Sequence, residues 1–153
     1  GEPMLAHKAS AEGEIAADTI AGRPVRSKRS IPAAVFTDPE IATVGMTEDD
    51  AREAGRDPAV GRMPMRASGR ALTLGETDGF VRIIADAETG TILGAAMICP
   101  DASELIAEIA LAVETEATLT EVATTVHTHP TLGEAVAEAV ANACGEAIHT
   151  LNG

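Results

Sequence analysis

Two apolar runs, residues 80–85 and 91–98, flank a turn that ends at Gly90, and no other stretch narrows the possible folds so far. Val, Ile and Phe suit a pleated surface, and a short glycine-containing connection between such runs predicts an antiparallel hairpin. A hairpin is marginal by itself, so the rest of the chain must supply further strands and a cover.

Both can be read from the residues. Residues 33–44 read as a strand broken at Asp38-Pro39, where the missing proline N–H predicts an edge or a bend. Thr47 then caps a short acidic helix that Gly55 ends, and a weaker strand is expected around residues 61–67. Helical signals follow. Asp101 with Glu104 predicts a capping-box-like start, and Leu105, Ile106, Ile109, Ala112 and Val113 line up as one apolar face. A short helical turn is expected at 120–125, and a last helix from Leu132 to about Ile148, with Val136, Ala139, Val140 and Ala143 on its inner face. At the other end, residues 4–20 predict a helix whose apolar positions Leu5, Ile15 and Ile20 are too sparse for a core. Gly22, Pro24 and the basic cluster Arg23, Arg26, Lys28 and Arg29 read as a linker, so the compact domain should start near Ile31. Strands first and helices after predict the α+β class, a mostly antiparallel sheet covered by helices.

A chain of 153 residues can bury roughly two thirds of its unfolded surface. Phe36 and Phe80 are its only aromatics, so the core must consist of Ile, Leu, Val, Met and Ala. The formal charge of −13 disfavours a nucleic-acid partner, whose phosphates require clustered cations. Cys99 and Cys144, without any Cys-x-x-Cys or Cys-x4-Cys spacing, are expected to be two buried thiols in a reducing compartment. The longest apolar run, near residues 92–99, is far short of a membrane span, and His7 and Lys8 interrupt any N-terminal signal-like stretch. A cytoplasmic location is the expectation.

The stretch VHTHPTLGEAV, residues 126–136, holds two of the four histidines. Thr131-x-x-Glu134 can be a capping box, with both side chains satisfying orphan N–H groups. His127 and His129, two apart on extended chain, could instead bind a metal with Glu134 as third ligand. The third reading is a general base: an imidazole takes and returns protons near neutral pH when a carboxylate orients it and stabilises its charged form. Pro130 pushes His129 out of the helical region, and Glu134 in the first turn leans back toward it. The spacing allows a His129–Glu134 pair and leaves all three readings open.

These residues also carry a resemblance. HTHPTLGEAVAEA resembles the C-terminal signature of the flavin-dependent disulfide oxidoreductases, their dihydrolipoamide dehydrogenase branch in particular. VFTDPEIATVGMTEDDA, GETDGFVRIIADAETGTILGAAMI and ASELIAEIALAVE resemble successive parts of that family's dimerisation (interface) domain, and GEPMLAHKASAEG resembles the segment ending its FAD domain. The resemblance implies residues 1–30 as the tail of an FAD-binding domain with a linker, and residues 31–153 as the dimerisation domain in the FAD/NAD-linked reductase fold. It implies His129 as the general base for a substrate dithiol, Glu134 as its partner, and His127 beside them. Met4, Leu5, Ala6 and His7 fall on flavin-touching positions, although the residues alone read as a simple helix start. FAD and NAD are the implied cofactors and no metal is implied. The implied partners are a second copy in a homodimer, and lipoyl domains of 2-oxoacid dehydrogenase complexes or of the glycine cleavage system.

The departures bound that reading. No Gly-x-Gly-x-x-Gly occurs, so neither dinucleotide-binding turn is present, and Cys99 and Cys144 cannot replace the family's Cys-x4-Cys pair. Cys99 stands where the family usually has glycine, which suggests a packed small residue. The 153 residues alone should not transfer hydride. A sister disulfide reductase and a free-standing, non-catalytic dimerisation module are the alternatives.

Overall fold

The computed structural model describes residues 1–25 and 30–152. Arg26, Lys28 and Arg29 of the expected linker lie outside the described residues, while Arg23 pairs with Asp18 at 3.1 Å.

The sheet is five-stranded and antiparallel, and the expected hairpin is its middle. β1 (Ala33–Val35) and β2 (Glu40–Gly45) form one side, β3 (Pro58–Pro64) the other, and β4 (Phe80–Asp86) with β5 (Ile92–Cys99) lies between, giving the order β1-β2-β5-β4-β3. Val81 stands opposite Met97 and Ile83 opposite Ala95, which puts the same inner face of both strands toward the core.

Asp38-Pro39 marks a reversal of the chain where the sequence suggested one interrupted strand. β1 and β2 pair with each other, Val35 opposite Ile41, and β1 takes the edge. The third strand runs from Pro58 to Pro64, earlier than expected, because its partner β4 begins at Phe80, opposite Pro64; residues 65–67 turn into a 3-10 helix.

Six helices complete the described chain: α1 (Ala6–Ile20), α2 (Glu48–Glu53), α3 (Gly69–Leu74), α4 (Ala102–Thr115), α5 (Leu119–Ala123) and α6 (Gly133–Ala143). α4 lies against β1, β2 and β5, α6 against β3 and β4, and α5 against α6. Met65, Ile83, Met97, Ile109 and Val136 are fully buried between these layers. Phe36 is exposed, and Phe80 is half-buried beneath the Arg62 guanidinium, 4.2 Å from its ring centre, so the core is aliphatic as the composition required. On the opposite face α2 covers a small cluster of Ala51, Ile84 and Leu93. α1 buries none of its residues. No helix among the described residues is long and apolar enough to cross a membrane.

Three local expectations are corrected. Asp101 is the N-cap residue, but its side chain makes no capping bond: its backbone is left-handed, φ 55°, and the N–H of Ser103 is instead taken at 2.9 Å by the carboxylate of Glu40 from β2. Complete capping boxes occur at Thr47/Asp50 and Thr118/Glu121. The last helix ends at Ala143, well before Ile148, because its buried face is exhausted there and Gly145, φ 74°, turns the chain back. Cys99 is buried, its thiol pushed up to about 12 by burial and then by the charges of Glu40 and Asp101; Cys144, beyond the buried stripe of α6, is exposed.

Candidate active site

The chain between α5 and α6 carries the histidines, and two contacts fix its course. His127 is tucked against α4 with only 13% of its side chain exposed, its Nε2 2.9 Å from Glu108 Oε1 and its Nδ1 3.0 Å from the carbonyl of Thr125. Both nitrogens therefore face partners away from Glu134, and the metal set considered for His127, His129 and Glu134 is not assembled. Among the described residues, no three or more His, Cys, Asp or Glu side chains are grouped to hold a metal.

His129 and Glu134 do meet. His129, the residue before Pro130, lies outside the helix, and Glu134 occupies the first turn of α6. His129 Nδ1 lies 2.8 Å from Glu134 Oε1, while Oε2 accepts the backbone N–H of Thr131 at 2.8 Å. The capping reading is thus half realised: the glutamate arm is made, but the Thr131 hydroxyl donates at 2.8 Å to the carbonyl of Thr128. The two readings of Glu134 coexist, one oxygen for each.

The consequences are electrostatic. The Thr131 N–H first, and then the hydrogen bond and charge of His129 with a smaller pull from His149, hold the Glu134 carboxyl below the usual glutamate range despite partial burial. A carboxylate at Nδ1 accepts the proton there, so in neutral His129 the lone pair is on Nε2. The imidazole is 79% exposed and Glu134 35%, leaving that nitrogen open to an incoming group. An oriented imidazole with an ionised carboxylate behind it and a free Nε2 in front can abstract a proton and return it.

The pair opens on a cleft of about 240 Å³ walled by Met63, Ala67 and Leu72 from the strand, 3-10 and α3 side. Glu138 and His149 line the same cleft, and the sequence reading singled out neither. A signal existed: Glu138 follows Glu134 by four residues on one helix face, and His149 is the histidine just beyond the Gly145 stop. Glu108, the partner of His127, is 19 residues from it on another helix and left no local trace.

Met4, Leu5, Ala6 and His7 lie elsewhere, at the start of α1. Leu5, Ala6 and His7 line an apolar cavity of about 560 Å³ with Phe36 and Ile106, and His7 Nε2 is 2.6 Å from the carbonyl of Pro32. Met4 is 84% exposed and borders a separate hollow with Pro3 and Lys8. The fold thus joins His129 to Glu134 and places Met4, Leu5, Ala6 and His7 away from that pair, around two neighbouring cavities that Leu5 and Ala6 both line.

Known proteins give this arrangement a context. Residues 31–140 match the family described as pyridine nucleotide-disulphide oxidoreductase, dimerisation domain. A dihydrolipoyl dehydrogenase of Haloferax volcanii is 65% identical over 151 residues, covering 98% of this chain and 32% of that protein. The structure of LpdA from Mycobacterium tuberculosis superposes with a TM-score of 0.85 at 34% identity, over 92% of this chain and 31% of that one. RclA of Escherichia coli, an HOCl-induced flavoprotein disulfide reductase, gives a TM-score of 0.85 at 28% identity over 92% of this chain and 33% of its own. The chain spans about a third of the length of these relatives. With that match over most of its length and the same antiparallel fold, the chain belongs to the dimerisation-domain family of the pyridine nucleotide-disulphide oxidoreductases.

Proposed function

We propose that this chain is the C-terminal part of a dihydrolipoyl dehydrogenase, in which it supplies the dimer interface and the base that deprotonates dihydrolipoamide. The observation that carries the reading is the 2.8 Å contact from His129 Nδ1 to a Glu134 carboxylate pinned on its other oxygen by Thr131, with Nε2 open. Thiols attack disulfides as thiolates and ionise mostly above neutral pH, so a base beside the dithiol raises the reactive fraction. His129 Nε2 takes the thiol proton, Glu134 stabilises the imidazolium that results, and the same nitrogen returns the proton to a departing sulfur in reverse. An imidazole so exposed needs a facing wall that holds the disulfide. In a homodimer the second subunit provides it, and the exposed Phe36, Leu111 and Val126 offer apolar surface for such an association. Lipoyl domains of a 2-oxoacid dehydrogenase complex or of a glycine cleavage system are the corresponding macromolecular substrates, and the cytoplasm the corresponding location.

Residues 1–30 are assigned to the end of an FAD domain and residues 31–153 to the interface domain. What the chain offers a flavin is one wall: Leu5, Ala6 and His7 open on an apolar cavity, with Met4 beside it, while no glycine-rich phosphate-binding turn exists in the sequence. FAD would pass the two electrons of the dithiol on to NAD, bound by parts of the protein outside these residues. In the full-length enzyme, His129→Gln should slow dihydrolipoamide oxidation by about 10² or more while flavin content and dimer mass stay unchanged. Unaltered turnover would remove His129 as the base.

A further inference from the structure

Beyond Ala143 the chain folds back onto the helix it has just left. The Glu138 carboxylate accepts the N–H groups of Ile148, at 2.7 Å, and of His149, and its second oxygen lies 3.3 Å from His149 Nδ1. Asn142 holds the following residues, donating to Thr150 Oγ1 at 3.1 Å and to the Leu151 carbonyl at 2.9 Å, while its own oxygen accepts the N–H of Arg62 in β3. A terminal turn tied at this many points is a fixed wall. His149 thereby borders the same cleft as His129, with its imidazole backed by a glutamate one helical turn beyond Glu134.

We propose that His149, held by Glu138, is a second ionisable positioning residue of the dithiol cleft, whose protonated form favours the substrate thiolate; this rests on the function proposed above. The ionisable groups lining the cleft are His129, Glu134, Glu138 and His149, and the opposite wall, Met63, Ala67, Ser68, Gly69 and Leu72, adds none. With two carboxylates present, a thiolate formed at His129 meets net negative charge unless both imidazoles carry protons. Protonated His149 neutralises Glu138 and leaves the cleft hospitable to the thiolate; neutral His149 leaves the Glu138 charge uncompensated. The pull of His149 on the Glu134 carboxyl fits two pairs that sense one another.

The test uses the full-length enzyme with free dihydrolipoamide from pH 5.5 to 9. His149→Asn keeps a side-chain donor toward Glu138, so the turn is retained. The expected result is a kcat/KM lower by about threefold to tenfold at the acid end, the effect of one partly screened charge at close range. The difference should narrow as pH rises, with one ionisation lost from the profile and kcat nearly constant. Glu138→Gln, which removes the opposing charge, should shift the same ionisation. A merely structural turn would change melting temperature and leave the shape of the pH profile intact, and that result would overturn the proposal. His129→Gln run in parallel separates the two ideas. If it has no effect, the function assigned above fails; if it abolishes turnover while His149→Asn leaves the profile unmoved, only the role of His149 fails.

Discussion

Glu134 divides its two oxygens between a histidine and the backbone, and that division makes its two roles separable. Gln at this position keeps a carbonyl oxygen for the Thr131 N–H but offers His129 Nδ1 an amide in place of an anion. Glu134→Gln should therefore lower turnover of the full-length enzyme by about tenfold or more, with a much smaller effect on melting, because the imidazolium loses its stabilising charge while the helix start survives. The pH dependence has a definite sign. The folded carboxyl is held below its ordinary value, chiefly by Thr131, so its stabilising contribution is complete above the ordinary glutamate range and is lost as pH falls through the folded value. The melting difference between wild type and Glu134→Gln should shrink as pH falls below the ordinary glutamate value of about 4.3. A difference that grew in that acidic range would contradict the hydrogen-bond assignment.

At the scale of elements, the contact that positions this site is β3 against α6, and it depends on Gly61. A Cβ added there would run into the carbonyl of Ala139 and the backbone of Ala143, so strand and helix meet backbone to backbone. Gly61→Ala should destabilise the fold at the upper end of the ~1–3 kcal/mol range for overpacking, measured by urea unfolding, and loosen the cleft that β3 and α6 share. A loss under about 0.5 kcal/mol would mean the helix moves aside freely. What was legible in the sequence divides along the same line. The hairpin of β4 and β5, the inner faces of α4 and α6, and the His129–Glu134 pair all rest on periodicity or on residues within one turn of each other. The cap that Glu40 supplies to α4 and the Glu108 hold on His127 depend on groups meeting from separate parts of the chain, 63 and 19 residues apart. Local pattern carries no information about such meetings. Glu40 and Ser103, 63 residues apart, become neighbours only once β2 has paired with β5.

For the whole molecule the dominant quantity is charge. Asp and Glu number 24 against 11 Lys and Arg, so 13 carboxylates have no cation to balance them, and folding brings these like charges closer together. Surface pairs such as Lys8–Glu12 and Arg23–Asp18 oppose the repulsion, yet exposed pairs of this kind are worth about 0–1 kcal/mol each and are themselves screened. The excess must win. Raising ionic strength from about 0.05 M to 1 M shortens the screening length from more than 10 Å to roughly 3 Å, which removes most of the repulsion between surface carboxylates. The melting temperature should accordingly rise by several degrees across that range in potassium chloride, a salt chosen because sulfate would also strengthen apolar burial. The same screening should tighten self-association, since two copies of one acidic surface repel across their interface, and the dimer fraction by sedimentation should climb with salt at fixed protein concentration. A melting temperature that fell on adding potassium chloride would mean that the few ion pairs, Arg56–Asp86 and the Glu48 cluster with Arg52 and Arg82 among them, outweigh the uncompensated carboxylates. The fold would then be held by specific pairing and not merely strained by net charge.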